Sequence, residues 1–327
     1  MQKHILFCSF FLIIATILFS GCFSFSFPVS DDTPRISEND FDVSIYQPFK
    51  KDSKVASLDT ISTLKLKKNV PILDGATAIY PLYSAFAQAV YPKKTYNIRK
   101  GKVMCNNTMN AYKSLVEKKA DIIFVAYPSK EQTEMAETKG VTMKFTPIGK
   151  EAFVFFVNKN NPINDLNISE IQDIYSGKIK NWNEIGGTAD SIIPFQRNVG
   201  SGSQSAFIKF MDGKEIIKPK TDERDYGMLG IISRVADYAN YSNSIGFSFR
   251  FFTNEMVNNQ QVKLLKINGI FPDIESIKNN LYPLVSDFYA VTLSDNHNPN
   301  VEKFLKWIKS EQGQELVKKT GYCAIYE

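Results

Sequence analysis

Histidine is nearly missing from this sequence: His4 stands in an apolar N-terminal stretch, and His297 is the only one beyond it. A His/Cys zinc site and a histidine-based catalytic triad are therefore not expected. A phosphoester hydrolase would need a nucleophile beside an activating base or a metal, and no histidine or cluster of carboxylates stands beside Ser201, Ser203 or Ser205 in the chain. The sequence reads as a binder and not an enzyme. Cysteine is scarce too. Cys8 and Cys22 fall at the N-terminus, which leaves Cys105 and Cys323 in the body, either as a disulfide of an exported protein or as two separately buried thiols. There is little charge imbalance, with 39 Lys and Arg against 34 Asp and Glu. No basic block interleaved with aromatics appears, so nucleic acid is not an expected partner, while a slight positive excess suits capture of anions.

What is present begins with a leader. Lys3 and His4 precede an apolar run from Ile5 to Phe19, followed by Ser20-Gly21-Cys22. The run is short for a membrane-spanning helix and predicts a secretory signal peptide over residues 1–21. The small residues before Cys22 look like the lipobox at which bacterial lipoproteins are cleaved and lipidated, although Phe19 stands where Leu, Val or Ile is usual. An uncleaved anchor is the alternative, and both readings put the bulk of the chain outside the cytoplasm, held at the cell membrane. Residues 22–69 carry Ser, Asp, Pro and Lys without sustained periodicity and read as a tether, with Phe41 to Tyr46 docking as an irregular strand.

Two stretches share one grammar. In the first, Val70-Pro71-Ile72-Leu73-Asp74-Gly75 reads as a short strand, Ala76-Thr77-Ala78 as a small-residue turn, and Ile79 to Tyr91 as a helix. In the second, Ile192 to Phe195 leads into Gln196-Arg197-Asn198-Val199-Gly200-Ser201-Gly202-Ser203, and a helix comes next from near Ser203 or Gln204. A helix start directs unpaired N–H groups and partial positive charge at whatever precedes it, so each turn suits an anion. Arg197 adds a permanent charge with planar donors, and Ser201 and Ser203 add hydroxyls. The plainer reading makes Ser203 a helix cap and leaves Arg197 on a solvated face.

Together the two turns, with Ile174-Tyr175-Ser176-Gly177-Lys178-Ile179-Lys180-Asn181-Trp182, resemble the phosphate-binding proteins of ABC transporters, within the type 2 periplasmic substrate-binding proteins. The resemblance runs from about Leu73 to the C-terminus. It implies an α/β fold of two lobes with the ligand cleft between them: lobe I from residues 70–152 and 284–327, lobe II from 153–283. The apolar run Ala152 to Asn158 is then the first crossing between lobes, and Tyr282 to Val291 the return. Ala76, Thr77 and Ala78 would hold the ligand from lobe I, and Arg197, Ser201, Gly202 and Ser203 from lobe II. Asn107 and Thr108 stand where the family has a Ser-Gly-rich turn, and either reach the ligand or cap the helix expected from near Asn110. The implied partners are inorganic phosphate or a similar oxyanion, ABC permease subunits, and the membrane through a lipid on Cys22. No cofactor or metal is implied. A surface sensor or adhesin that keeps the fold without a permease is the alternative.

One departure bears on selectivity. Phosphate binders of the family often place an acid just after the strand equivalent to Ile122–Val125, where this chain reads Ala126-Tyr127-Pro128-Ser129. Weaker discrimination of phosphate from sulfate is then expected, unless Asp74 or another carboxylate folds in to replace it. Trp307, at helical spacing with Val301, Phe304, Leu305 and Ile308, is expected in the core.

Overall fold

The computed structural model describes residues 41–219, 224–225, 228–236 and 241–325. The predicted signal peptide, Cys22 and the first part of the tether lie outside the described residues.

Strand β1 (Leu73–Gly75) pairs in parallel with β2 (Ile122–Val125), and all seven of their residues are buried. That burial on both faces is why β2 reads as an unbroken apolar run. The stretch Lys102 to Cys105 makes only a bridge from Val103 to Leu73. It leaves β1 at once because Asn106 turns back to bond Asp74. Between β1 and β2 lie α1 (Tyr80–Val90) and α2 (Asn107–Val116). After β2 comes α3 (Lys130–Thr138), opened by a reciprocal cap in which Ser129 and Gln132 satisfy each other's backbone N–H.

The long strand β3 (Met143–Asn158) ties the molecule together. Met143 to Ala152 pairs with β11 (Val285–Leu293), which also pairs with β2, and Phe153 to Val157 pairs with β8 (Ser244–Phe249). β8 pairs in turn with β5 (Ile193–Pro194). The main sheet therefore runs β1-β2-β11-β3-β8-β5, with β9 (Val262–Leu264) also on β3. Between Ala152 and Phe153 the strand changes partner from β11 to β8.

Lobe II continues from β3 through β4 (Asp165–Leu166), α4 (Ile168–Tyr175), β5, β6 (Gln196–Arg197) and α5 (Gly202–Phe210). Then come β7 (Arg224–Asp225), parallel to β6, and α6 (Met228–Ala236), which leads to β8. β10 (Lys266–Ile267) pairs with β4. The lobe II core is aromatic: the rings of Phe207 and Phe247 stack at 4.5 Å and Tyr175 meets Phe207 at 4.6 Å. Trp182 is fully buried, and its indole N–H donates to the Asn243 carbonyl at 2.7 Å.

The helices Val301–Ile308 and Glu311–Thr320 return to lobe I. Trp307 is core as expected, edge-on to Phe86 at 6.1 Å. Cys105 and Cys323 are buried free thiols, which decides between the two alternatives left open for them.

The tether needs correcting over its second part. Val43–Tyr46 forms a 3-10 helix and not a strand, and Val43, Tyr46, Val55 and Leu66 are buried against the body. A backbone bond from the Leu66 N–H to the Val90 carbonyl and a ring contact of Phe41 with Phe252 hold the segment down. Its anchors are single residues spaced by surface loops, so they generate no period that a sequence reading would register. Among the described residues no helix is long and apolar enough to cross a membrane.

Candidate anion-binding cleft

In lobe I the chain leaves β1 through Gly75, where a Cβ would lie 2.6 Å from the Phe124 carbonyl oxygen and 2.8 Å from the Tyr83 ring. Only glycine lets the turn approach β2 this closely. Ala76 donates its N–H to the same carbonyl at 2.9 Å, and a 3-10 turn over Thr77–Ile79 delivers the chain into α1. Asp74 is fully buried. One of its carboxylate oxygens accepts from the N–H groups of Gly75 and Asn106, and the other from the Asn106 amide. Asp74 thus fastens the first turn to the start of α2. It is not the replacement acid, because its acceptor positions serve the fold. Asp121, before β2, is likewise used by the Ile72 N–H and by the amides of Asn296 and Asn298.

In lobe II the helix starts earlier than its sequence suggests. Ser201, not Ser203, is the cap, accepting from the Gln204 N–H at 3.2 Å, and α5 begins at Gly202. Gly200 reaches this turn at φ +85°, the left-handed region that glycine occupies without cost. Arg197 is 2% exposed, so it does not lie on a solvated face. Its guanidinium donates to the Ser203 hydroxyl at 3.0 Å, and its backbone N–H donates to Gln204 at 2.8 Å.

The two turns meet. The Gln132 amide donates to the Gly200 carbonyl at 3.3 Å, and a Cβ on Gly202 would stand 3.0 Å from the Thr108 hydroxyl. Farther out, Lys209 of α5 lies 5.9 Å over the ring of Tyr127, which packs on Phe145 and Tyr289. The lobes are in contact here, and Tyr127 is exposed and does not line the cavity.

The closed cleft encloses about 30 Å³. That is room for two or three ordered waters at about 10–15 Å³ each, or for one small ion. Ala76, Ala78 and Thr108 line it from lobe I, Gly202 and Phe249 from lobe II. Of the residues singled out in the sequence, these include Ala76, Ala78, Thr108 and Gly202. Thr77, Asn107, Arg197, Ser201 and Ser203 are not among the residues that line it. Thr77 and Ser203 are buried, Ser201 caps α5, and Asn107 accepts from the Asn110 N–H at 3.1 Å. α2 starts at Asn107, not near Asn110, so both Asn107 and Thr108 belong to its first turn.

Two carboxylates that the sequence reading missed also line the cavity, Glu151 on β3 and Asp287 on β11. Glu151 is 7% exposed, and its two oxygens accept from the N–H groups of Ala152 at 2.8 Å and Phe251 at 3.1 Å. Burial pushes its carboxyl up to about 7, against those two bonds and the nearby Arg250. One signal was available: an acidic residue directly ahead of the apolar run Ala152 to Val157 is placed where burial is hard to avoid.

Residues 72–312 match the PBP superfamily domain. The chain belongs to the PBP superfamily. Among solved structures, it shares this fold with a substrate-binding protein from Clostridium perfringens carrying bound phosphate, at 24% identity and a TM-score of 0.60, over 78% of this chain and 99% of that one. An ABC-type phosphate transport receptor from Vibrio cholerae matches at 18% identity with a TM-score of 0.55, over 77% and 99% of the two chains. Among curated relatives, the phosphate-binding protein PstS of Bacillus subtilis is 28% identical over 52% of this chain. The match spans only about half, 53%, of that relative's own length. PstS of Borreliella burgdorferi is 24% identical over 71% of this chain and 80% of its own.

Proposed function

We propose that this protein is an extracytoplasmic substrate-binding protein that captures an inorganic oxyanion, phosphate first, and hands it to ABC permease subunits. Lobe I comprises residues 70–152 and 284–327, and lobe II residues 153–283. The observation that carries the reading is the closure of two helix-opening turns, one from each lobe, on a single cavity of about 30 Å³. Unpaired N–H groups at the starts of α2 and α5 favour negative charge there, and the small volume suits a tetrahedral ion better than a phosphate ester. Arg197 supports the anion from behind the first turn of α5, through Ser203. The phosphate-binding relatives add to this reading. Ligand contacts shared by both lobes are complete only when the cleft is closed, so binding favours closure. The function is capture and release.

Calorimetric titration of the purified protein with phosphate, sulfate and molybdate at constant ionic strength tests the proposal. Binding of phosphate in a one-to-one ratio is expected, and binding of none of the three would overturn the oxyanion reading.

Attachment to the membrane is part of the same proposal. A lipid carried on the Cys22 sulfur holds the protein at the cell surface once residues 1–21 are removed. Cys22→Ser is expected to abolish lipid labelling and leave a precursor that still bears its apolar leader, as mass spectrometry would show. A fully lipidated Cys22→Ser protein would exclude Cys22 as the anchor.

A further inference from the structure

Gln132 is fully buried in the first turn of α3, although its neighbours Lys130 and Glu131 are exposed. Its side-chain oxygen accepts from the Ser129 N–H at 2.9 Å, which completes the cap of the helix. A backbone N–H can only donate, so that bond fixes which end of the amide is oxygen. The nitrogen at the other end donates to the Gly200 carbonyl at 3.3 Å. The cap by itself does not call for an amide. A glutamate at the same position accepts from the cap residue equally well, and its negative charge suits the start of a helix. What glutamine adds is a donor, and Gly200 receives it.

Gly200 is gripped from more than one side. A Cβ built on it would lie 2.4 Å from the terminal methyl of Met109 in α2 and 3.6 Å from a carboxylate oxygen of Glu131 in α3. Two residues on, Gly202 opens α5 and lines the cavity. The bond from Gln132 therefore ties α3 to the turn that presents the start of α5 to the cavity, while Gln132 itself is not among the lining residues. If the two turns part, the Gln132 amide and the Gly200 carbonyl each bond water instead. The contact belongs to the closed cleft alone.

We infer that Gln132 is the latch of the cleft, donating to the Gly200 carbonyl only when the turns have met, and that it sets how long a captured oxyanion is held. This rests on the oxyanion reading above and adds to it a residue that governs release without touching the ligand. A contact missing from the open state gives an entering anion nothing, but it has to break before the anion leaves. Its effect therefore falls on dissociation and not on association.

The test is the rate at which radiolabelled inorganic phosphate leaves the purified protein when chased with unlabelled phosphate, measured on the wild type, Gln132→Glu and Gln132→Ala. Gln132→Glu keeps the acceptor for Ser129 and sets a carboxylate oxygen against the Gly200 carbonyl in place of the donor. It is expected to release phosphate about tenfold faster or more, with the unfolding temperature of the ligand-free protein nearly unchanged. The added charge also repels phosphate at a distance, which slows association and fades with salt, so both rates are measured at about 0.15 M and about 1 M salt. Gln132→Ala carries no added charge and loses both the donor and half of the cap. It is expected to release phosphate faster as well, and to unfold at a lower temperature. Release from either folded variant at the wild-type rate would overturn the inference. So would a loss of affinity in Gln132→Glu that lies wholly in association and vanishes at the higher salt. Failure of the wild type to bind phosphate removes the oxyanion reading and the latch with it, whereas tight binding with unaltered release in the variants removes the latch alone.

Discussion

Gly202→Leu is expected to weaken phosphate binding about 100-fold or more, equivalent to about 2.7 kcal/mol, while leaving the unfolding temperature nearly unchanged. Gly202 opens α5, and the first atom of a new side chain would already lie 3.0 Å from the Thr108 hydroxyl and 3.8 Å from the Phe249 ring. The remainder of a leucine would have to enter a cavity of about 30 Å³ or hold the lobes apart. Gly202 is not one of the glycines with positive φ, so leucine meets no backbone strain and the lobe itself folds as before. With the cleft open the side chain stands in solvent, where substitutions usually change stability by less than about 0.5 kcal/mol. Calorimetry paired with thermal unfolding separates these effects. Phosphate affinity retained in full by Gly202→Leu would show that the ligand does not sit between Thr108 and Gly202.

The second large effect is on stability and arises from Glu151. Its carboxyl is raised in the folded protein from 4.5 to about 7, chiefly by burial. The folded state then binds this proton more tightly than the unfolded chain does. The stability contributed by the neutral acid is complete below pH 4.5 and is lost as pH rises to about 7. A shift of this size corresponds to about 3 kcal/mol. Urea unfolding of the ligand-free protein is therefore expected to show stability falling across this range, and Glu151→Gln to be flatter by about that amount. Asp74 is also raised by burial but is common to both proteins, so the comparison isolates Glu151. Parallel pH profiles for the two proteins would mean that Glu151 does not hold its proton when the chain folds.

The fold was more legible than the site, for a physical reason. Apolar runs such as Ile122–Val125 and Ala152–Val157 are buried on both faces, and their character survives any register or neighbour. The two small-residue turns were legible because glycine, serine and alanine at helix starts carry conformational meaning within a few residues. Position inside each turn was not. Whether Ser201 or Ser203 caps α5 depends on one backbone angle at Gly200, and the burial of Arg197 depends on how β6 packs between β7 and α5. The acid was hidden for a different cause. Glu151 and Asp287 meet the cavity only because β3 and β11 run side by side, a pairing between segments more than a hundred residues apart in sequence. Asp74 adjoins the turn, yet its carboxylate is taken by the backbone N–H of the adjacent Gly75 and by that of Asn106, brought in from the start of α2. The docked segment after Phe41 was read as a tether because its burial rests on isolated side chains.

The place of β11 in the sheet also sets an order of events. It lies between β2 and β3, so a slot in the middle of lobe I stays empty until Val285 to Leu293 has been made. Most of the strands and helices that come after β3 need nothing from that last stretch, and they can condense while the slot waits. Until the slot is filled, β2 and β3 present unpaired edges of the kind that attract other extended chains. For a chain emerging from its N-terminus, the half that begins first is finished last. A chain cut short before Val285 would carry both turns of the cleft and still lack the strand that sets them face to face.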